Sequence, residues 1–158
     1  MALVKGTNAY AEVAEADAYF QDRFGGSAWS ALDDTQKSQV LITATGLLDN
    51  LVWTGTALSE DQLLAFPRVG SYFEPRQGLE VLFDDGFPDR LTKGLFELCL
   101  HLSSNPDVLS DTGGVRSLTV GSINLDSILS PSLIPSSVRL VIKPLLANSG
   151  QGTWWRAN

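Results

Sequence analysis

Apolar residues recur at helical spacing in several separate stretches of this chain, and each stretch ends on a residue that breaks helices. From Glu12 to about Phe24, the residues Val13, Ala16, Phe20 and Phe24 share one side of a 3.6-residue repeat, and Gly25-Gly26 supplies a stop. A second helix follows Asp33-Asp34, either of which can cap it. Its Val40, Leu41, Ala44, Leu47, Leu48 and Leu51 form one apolar stripe, and Trp53 and Gly55 mark the exit. Ser59 with Gln62 predicts a capping box for a short helix through Leu63, Leu64 and Phe66, ended by Pro67. Arg68 to Gly86 reads as a long connection whose one apolar patch, Leu79 to Phe83, is a weak strand signal between Pro75, Gly78 and Gly86.

Pro88 suits the first turn of a third long helix, with Leu91, Leu95, Leu98, Cys99 and Leu102 facing inward until Asn105-Pro106 stops it. Between Val115 and Ser127 the period changes to alternation around Gly121-Ser122, a pair suited to a type II′ turn. Pairing Val120 with Ile123 and Leu118 with Leu125 gathers four apolar side chains on one face. Thr119 with Asn124 and Ser117 with Asp126 fall mainly outside that cluster. Pro131 and Pro135 precede a last helix carrying Val138, Val141, Ile142, Leu145 and Leu146, which Pro144 should bend or shorten. The pattern therefore predicts a mainly α fold: a bundle of about four helices with a β-hairpin insertion and an extended C-terminal tail. Residues 1–147 would form the helical domain, with the hairpin at 115–127, and 148–158 the tail.

Composition narrows the functional classes. The length of 158 residues fits one domain, and 44% hydrophobic with 18% charged residues argues against disorder. The first residues lack the apolar stretch of a signal peptide, and no apolar run is long enough to span a membrane, so a cytosolic product is expected. A lone cysteine, Cys99, can form neither an intrachain disulfide nor a multi-cysteine metal site. The net charge of -7 opposes binding to a phosphate backbone unless the basic residues gather on one face, and in sequence they are scattered.

No constellation for catalysis stands out. His101 is the single histidine and lies roughly 200 degrees around a helix from Cys99, so the two cannot form a local dyad. It reads as a partly exposed helix residue. The paired acids Asp33-Asp34, Glu60-Asp61 and Asp84-Asp85 do not continue into a calcium loop, and Asp33 and Glu60 read better as favourable charge at helix starts. Neither Gly113-Gly114 nor Gly150-Gln151-Gly152 extends into a phosphate-binding fingerprint. The reading assigns no catalytic residue, no cofactor and no metal. Two features remain as candidate contact surfaces. The hairpin, through Arg116, Thr119, Gly121, Ser122 and Asn124, either closes over the helices or meets neighbouring subunits. Trp154, Trp155 and Arg156 either fold back on the core or act as a docking tail beyond a small polar linker; aromatic and Arg side chains favour docking.

The segments Val13-Ala14-Glu15-Ala16-Asp17-Ala18-Tyr19-Phe20, Ala28-Trp29-Ser30-Ala31-Leu32, Ala44-Thr45, Leu48-Asp49, Trp53-Thr54-Gly55 and Gln62 to Gly70 together resemble a phage family. Its members are labelled head-to-tail connector (adaptor) or DnaT-like single-strand DNA-binding protein. The likeness continues less specifically through Phe87-Pro88, Gly114 to Ser117, Val120-Gly121 and Pro144-Leu145-Leu146. Members often carry Trp where this chain has Phe66, a departure that touches packing. The resemblance implies a homo-oligomeric ring, commonly a dodecamer, in the neck of the virion between the portal protein and a downstream tail or nozzle protein. Duplex DNA would pass through its channel, and Trp154, Trp155 and Arg156 would dock on the portal. The rival expectation is a single-strand DNA-binding module, which needs exposed aromatics inside a positively charged groove.

Overall fold

The computed structural model describes residues 2–84, 86–110, 117–120, 123–126 and 132–147. The chain enters through α1 (Val13–Asp22), where Glu12 and Glu15 cap each other reciprocally, and a four-residue α2 (Ser27–Ser30) follows. A helix that short is unstable by itself. Packing holds α2 instead: Trp29 is buried, stacks on Phe20 at 5.0 Å, and donates from Nε1 to the Asp17 carboxylate at 2.7 Å. Helix α3 (Asp34–Asp49) starts at Asp33, whose side chain accepts from the Gln36 N–H at 2.8 Å while Gln36 accepts from the Asp33 N–H.

Three short strands then lead to a fourth. β1 (Thr56–Ala57) pairs antiparallel with β2 (Arg68–Val69), and β3 (Ser71–Glu74) pairs antiparallel with β4 (Leu79–Leu82) across a turn closed by Gly78 at φ +69°. Helix α4 (Asp89–Ser104) begins after Pro88 and ends at Asn105, followed by a 3-10 turn over Pro106–Leu109. β5 (Ser117–Val120) pairs antiparallel with β6 (Ile123–Asp126), with Leu118 opposite Leu125 and Thr119 opposite Asn124, the partners that the alternation predicts. Helix α5 (Ser136–Ile142) passes into a 3-10 turn at Lys143–Leu145, so Pro144 does shorten it.

Helix α4 is the centre of the core. Its Leu91, Leu95, Leu98, Cys99 and Leu102 are all buried, against Leu41, Ala44 and Leu48 of α3 and Val138 and Ile142 of α5. Gly94 lets α5 approach so closely that a Cβ there would lie 2.3 Å from Ile142 Cγ2. The loop after α3 is tied to the end of the described chain, because Thr54 N–H donates to Leu145 O at 2.9 Å and Ala147 N–H to Val52 O at 3.0 Å.

The expected bundle of about four helices is corrected: the described residues hold five α-helices, two of them short, and three two-stranded antiparallel sheets, a mixed helix-and-sheet fold. The short helix from Ser59 is absent. Ser59 N–H does donate to Gln62 Oε1, but the segment closes as a turn leading into the cis Phe66-Pro67 peptide, too few residues to nucleate a helix. Glu60 therefore sits on an exposed turn and not at a helix start. The expected connection from Arg68 to Gly86 is largely strand. Phe24 is also corrected, because α1 stops at Asp22 and Phe24 stands 98% exposed on the far side of the turn.

Candidate functional site

Among the described residues, the candidate reactive groups of the sequence can be placed one by one. Cys99 is fully buried, and burial pushes its thiol up, away from the reactive thiolate. His101 lies half-buried on α4 with Nε2 2.9 Å from the Ser132 carbonyl; a carbonyl only accepts, so Nε2 carries the proton. Among the described residues no group of three or more His, Cys, Asp or Glu side chains is placed to hold a metal ion. Asp84 accepts from the Gly86 N–H at 3.2 Å within its own loop, and its neighbour Asp85 lies outside the described residues.

The cations are tied down. Lys5 pairs with Glu15 at 2.6 Å, Arg23 with Glu97 at 2.5 Å and Lys37 with Asp17 at 2.8 Å. Arg90 and Arg76 both pair with Glu74, and Lys93 with Asp89. Glu74 is 3% exposed, and the Arg90 guanidinium gripping both its oxygens holds its carboxyl down at about 2. Arg68 spends its guanidinium on the carbonyls of Thr54 at 2.7 Å, Gly55 at 2.6 Å and Ala65 at 3.1 Å, and lies over the Phe66 ring. Arg139 donates to the Ile134 carbonyl at 3.3 Å. Of the cations in the described residues, Lys143 alone makes neither an ion pair nor a side-chain hydrogen bond within them. A phosphate backbone would have to compete with these internal partners for almost every positive charge.

Large apolar side chains, in contrast, are left outside, on strands and on the turn after α1. Phe24 is 98% exposed, Leu82 78% and Phe73 54%. Cross-strand pairing sets Ser71 and Phe73 opposite Leu82 and Glu80, so these four share the outer face of the β3–β4 hairpin. Beside that face lies an open groove of about 510 Å³, lined by Phe73, Pro75, Glu80, Lys143, Pro144 and Leu146. The other aromatics among the described residues pack inward: Tyr10, Trp53, Phe66, Phe83 and Tyr72, for instance, form a chain of edge and tilted contacts.

Of the residues singled out in sequence, Thr119 and Asn124 face each other across the β5–β6 ladder. Arg116, Gly121 and Ser122, and the tail residues Trp154, Trp155 and Arg156, lie outside the described residues. Sequence reasoning missed the β3–β4 face and the exposed Phe24. A signal for the first was present: Ser-Tyr-Phe-Glu and Leu-Glu-Val-Leu flank the turn Pro75 to Gly78. No signal marked Phe24, which fits the apolar stripe of α1.

These features define a small mixed helix-and-sheet domain in which most of the described cations have intramolecular partners and several large apolar side chains are exposed. The chain belongs to the family described as "Putative DnaT-like ssDNA binding protein", whose model matches residues 2–157. Neither a curated protein nor a solved structure matches it.

Proposed function

We propose that the chain is a non-enzymatic structural protein of a tailed phage, a head-to-tail connector that assembles as a ring beneath the portal, in the virion neck. The observation that carries this reading is the contrast at the surface: most described cations engaged by intramolecular partners, large apolar side chains exposed. Exposed apolar patches on ordered elements mark protein contacts, whereas a nucleic-acid surface needs uncommitted positive charge. An acidic surface also suits a channel, since like charge keeps passing duplex DNA from adhering. Within this reading Trp154, Trp155 and Arg156 dock on the portal, and the β5–β6 hairpin, with Arg116, Thr119, Gly121, Ser122 and Asn124, meets a neighbour or the next tail component.

The family's description favours a second reading, single-strand DNA binding. Phe24 and Phe73 are exposed aromatics on which bases could stack; Arg23 and Arg76, the cations nearest them in sequence, are held by Glu97 and Glu74, and Lys143, which lines the groove beside Phe73, has no side-chain partner among the described residues.

Electron microscopy of portal-bearing, tailless heads mixed with the purified chain tests the proposal. A ring of added density below the portal is expected, lost when Thr153 to Asn158 are deleted. Undecorated portals with the full-length chain contradict the connector reading; normal decoration by the truncated chain contradicts the docking role of the tail alone.

A further inference from the structure

We infer that the open edge of β4 docks a second copy of this chain, whose own β4 adds antiparallel about a twofold axis and joins two β3–β4 hairpins into one four-stranded sheet. The inference goes beyond the connector reading and does not rest on it: a twofold contact closes at two copies and concerns the free chain.

The phase of the β3–β4 ladder decides which backbone groups are left over. Phe83 N–H donates to the Gly70 carbonyl at 2.9 Å, in register with Ser71 opposite Leu82 and Tyr72 opposite Val81. Bonded and non-bonded pairs alternate along an antiparallel ladder, so Val81 bonds towards β3, while Glu80 and Leu82 aim their N–H and C=O groups away from it. Among the described residues no strand pairs on that side, and no group bonds to those N–H and C=O groups. Such an edge is a template for another strand unless something guards it. The common guards are missing: Leu79 to Phe83 contain no lysine or proline, and the register runs without a bulge. The one charge there is drawn the other way, because Ser71 Oγ on β3 donates to Glu80 Oε2 at 3.2 Å.

A second β4 matches this edge, because outward residues two apart repeat themselves after a half-turn about Val81. With Val81 opposite Val81, Glu80 of each copy faces Leu82 of the other, and each such pair exchanges two backbone bonds. Charge selects that register. Moving the axis to Glu80 sets Glu80 against Glu80, and moving it to Leu82 sets Glu80 against Asp84, so both neighbouring registers oppose like charges directly. In the register about Val81 no acid faces an acid, and the two Leu82 side chains, each 78% exposed in the single copy, become diagonal neighbours on one face.

Introduced cysteines read the register, because Cys99 is buried and stays silent. Val81 opposite Val81 would be a non-bonded pair with Cα atoms about 4.5 Å apart, within the span of a disulfide. Val81→Cys should therefore give a disulfide-linked dimer under mild oxidation. Leu79→Cys, which this register sets against Phe83 of the other copy, should give roughly tenfold less. Leu82→Glu opposes acid to acid and should weaken self-association in sedimentation velocity roughly tenfold, with the thermal midpoint unchanged. Leu82→Pro removes an N–H that β3 does not use and should weaken it to a similar degree. The inference is overturned if the parent chain sediments as a monomer up to its solubility limit, or if Leu82→Glu associates like the parent. Equal cross-linking through positions 79 and 81 overturns it too, because the edge is then met in no fixed register, or by a different strand.

Discussion

Arg68 and Glu74 show how single side chains remove charge from the surface and turn it into structure. Arg68 ties the loop at Trp53 to Gly55 onto Ala65 through bonds to backbone carbonyls, each the bond of a charged donor. Arg68→Ala should therefore lower stability by roughly 2–4 kcal/mol in urea unfolding, and Arg68→Lys should recover little, because an ammonium lacks the planar fork. Glu74 carries a pH signature. Its carboxyl is held at about 2 in the fold against an ordinary 4.5, so its stabilising effect is complete above the unfolded value and is lost as pH falls from there towards 2. Glu97 and Asp17, lowered by Arg23 and by Lys37 with Trp29, act with the same sign. Unfolding midpoints between pH 7 and pH 2.5 should fall steeply on the acid side, and Glu74→Gln should flatten that fall. An unchanged acid slope in Glu74→Gln would show that the Arg90 pair is not its source.

Among the elements, the packing of α4 against α5 gives the sharpest expectation. Gly→Ala in an exposed helix interior normally stabilises by about 1 kcal/mol. Here the added methyl meets Ile142, so Gly94→Ala should instead destabilise, by about 1–2 kcal/mol net of the helix gain. Combining it with Ile142→Ala should cost less than the two changes summed, a coupling that a double-mutant cycle reads directly. The elements also mark how far sequence alone reaches. α1, α3, α4 and α5 were legible because ten or more residues, or a proline-flanked apolar repeat, bring 3.6-residue periodicity above noise. β5 and β6 were legible because their alternation brackets a glycine turn. β4 showed weakly as the apolar patch Leu79 to Phe83; β1 to β3 hold two to four residues each, and Phe66, Tyr72 and Phe83 of the aromatic cluster pack beside them. α2 forms only because Trp29 finds Phe20 and Asp17. Phe24 obeyed the helical repeat and still ended outside, because the helix ends two residues earlier, at Asp22, with Arg23 already extended and Gly25 at positive φ.

At the scale of the whole molecule, a net charge of -7 is carried by a fold whose described cations, Lys143 apart, already have partners, while apolar side chains on α1's exit and on the β3–β4 face do not. That distribution motivates the proposed reading as a protein that meets other protein surfaces, whereas the family's description points to single-strand DNA. No helix among the described residues is long and apolar enough to cross a membrane, so the exposed apolar groups are not part of a helical span. The central claim is most directly tested by fluorescence anisotropy of a labelled single-stranded oligonucleotide titrated with the full chain at low salt. The account predicts no saturable rise. Saturable binding whose affinity falls steeply as salt is added, the signature of released counterions, would contradict it.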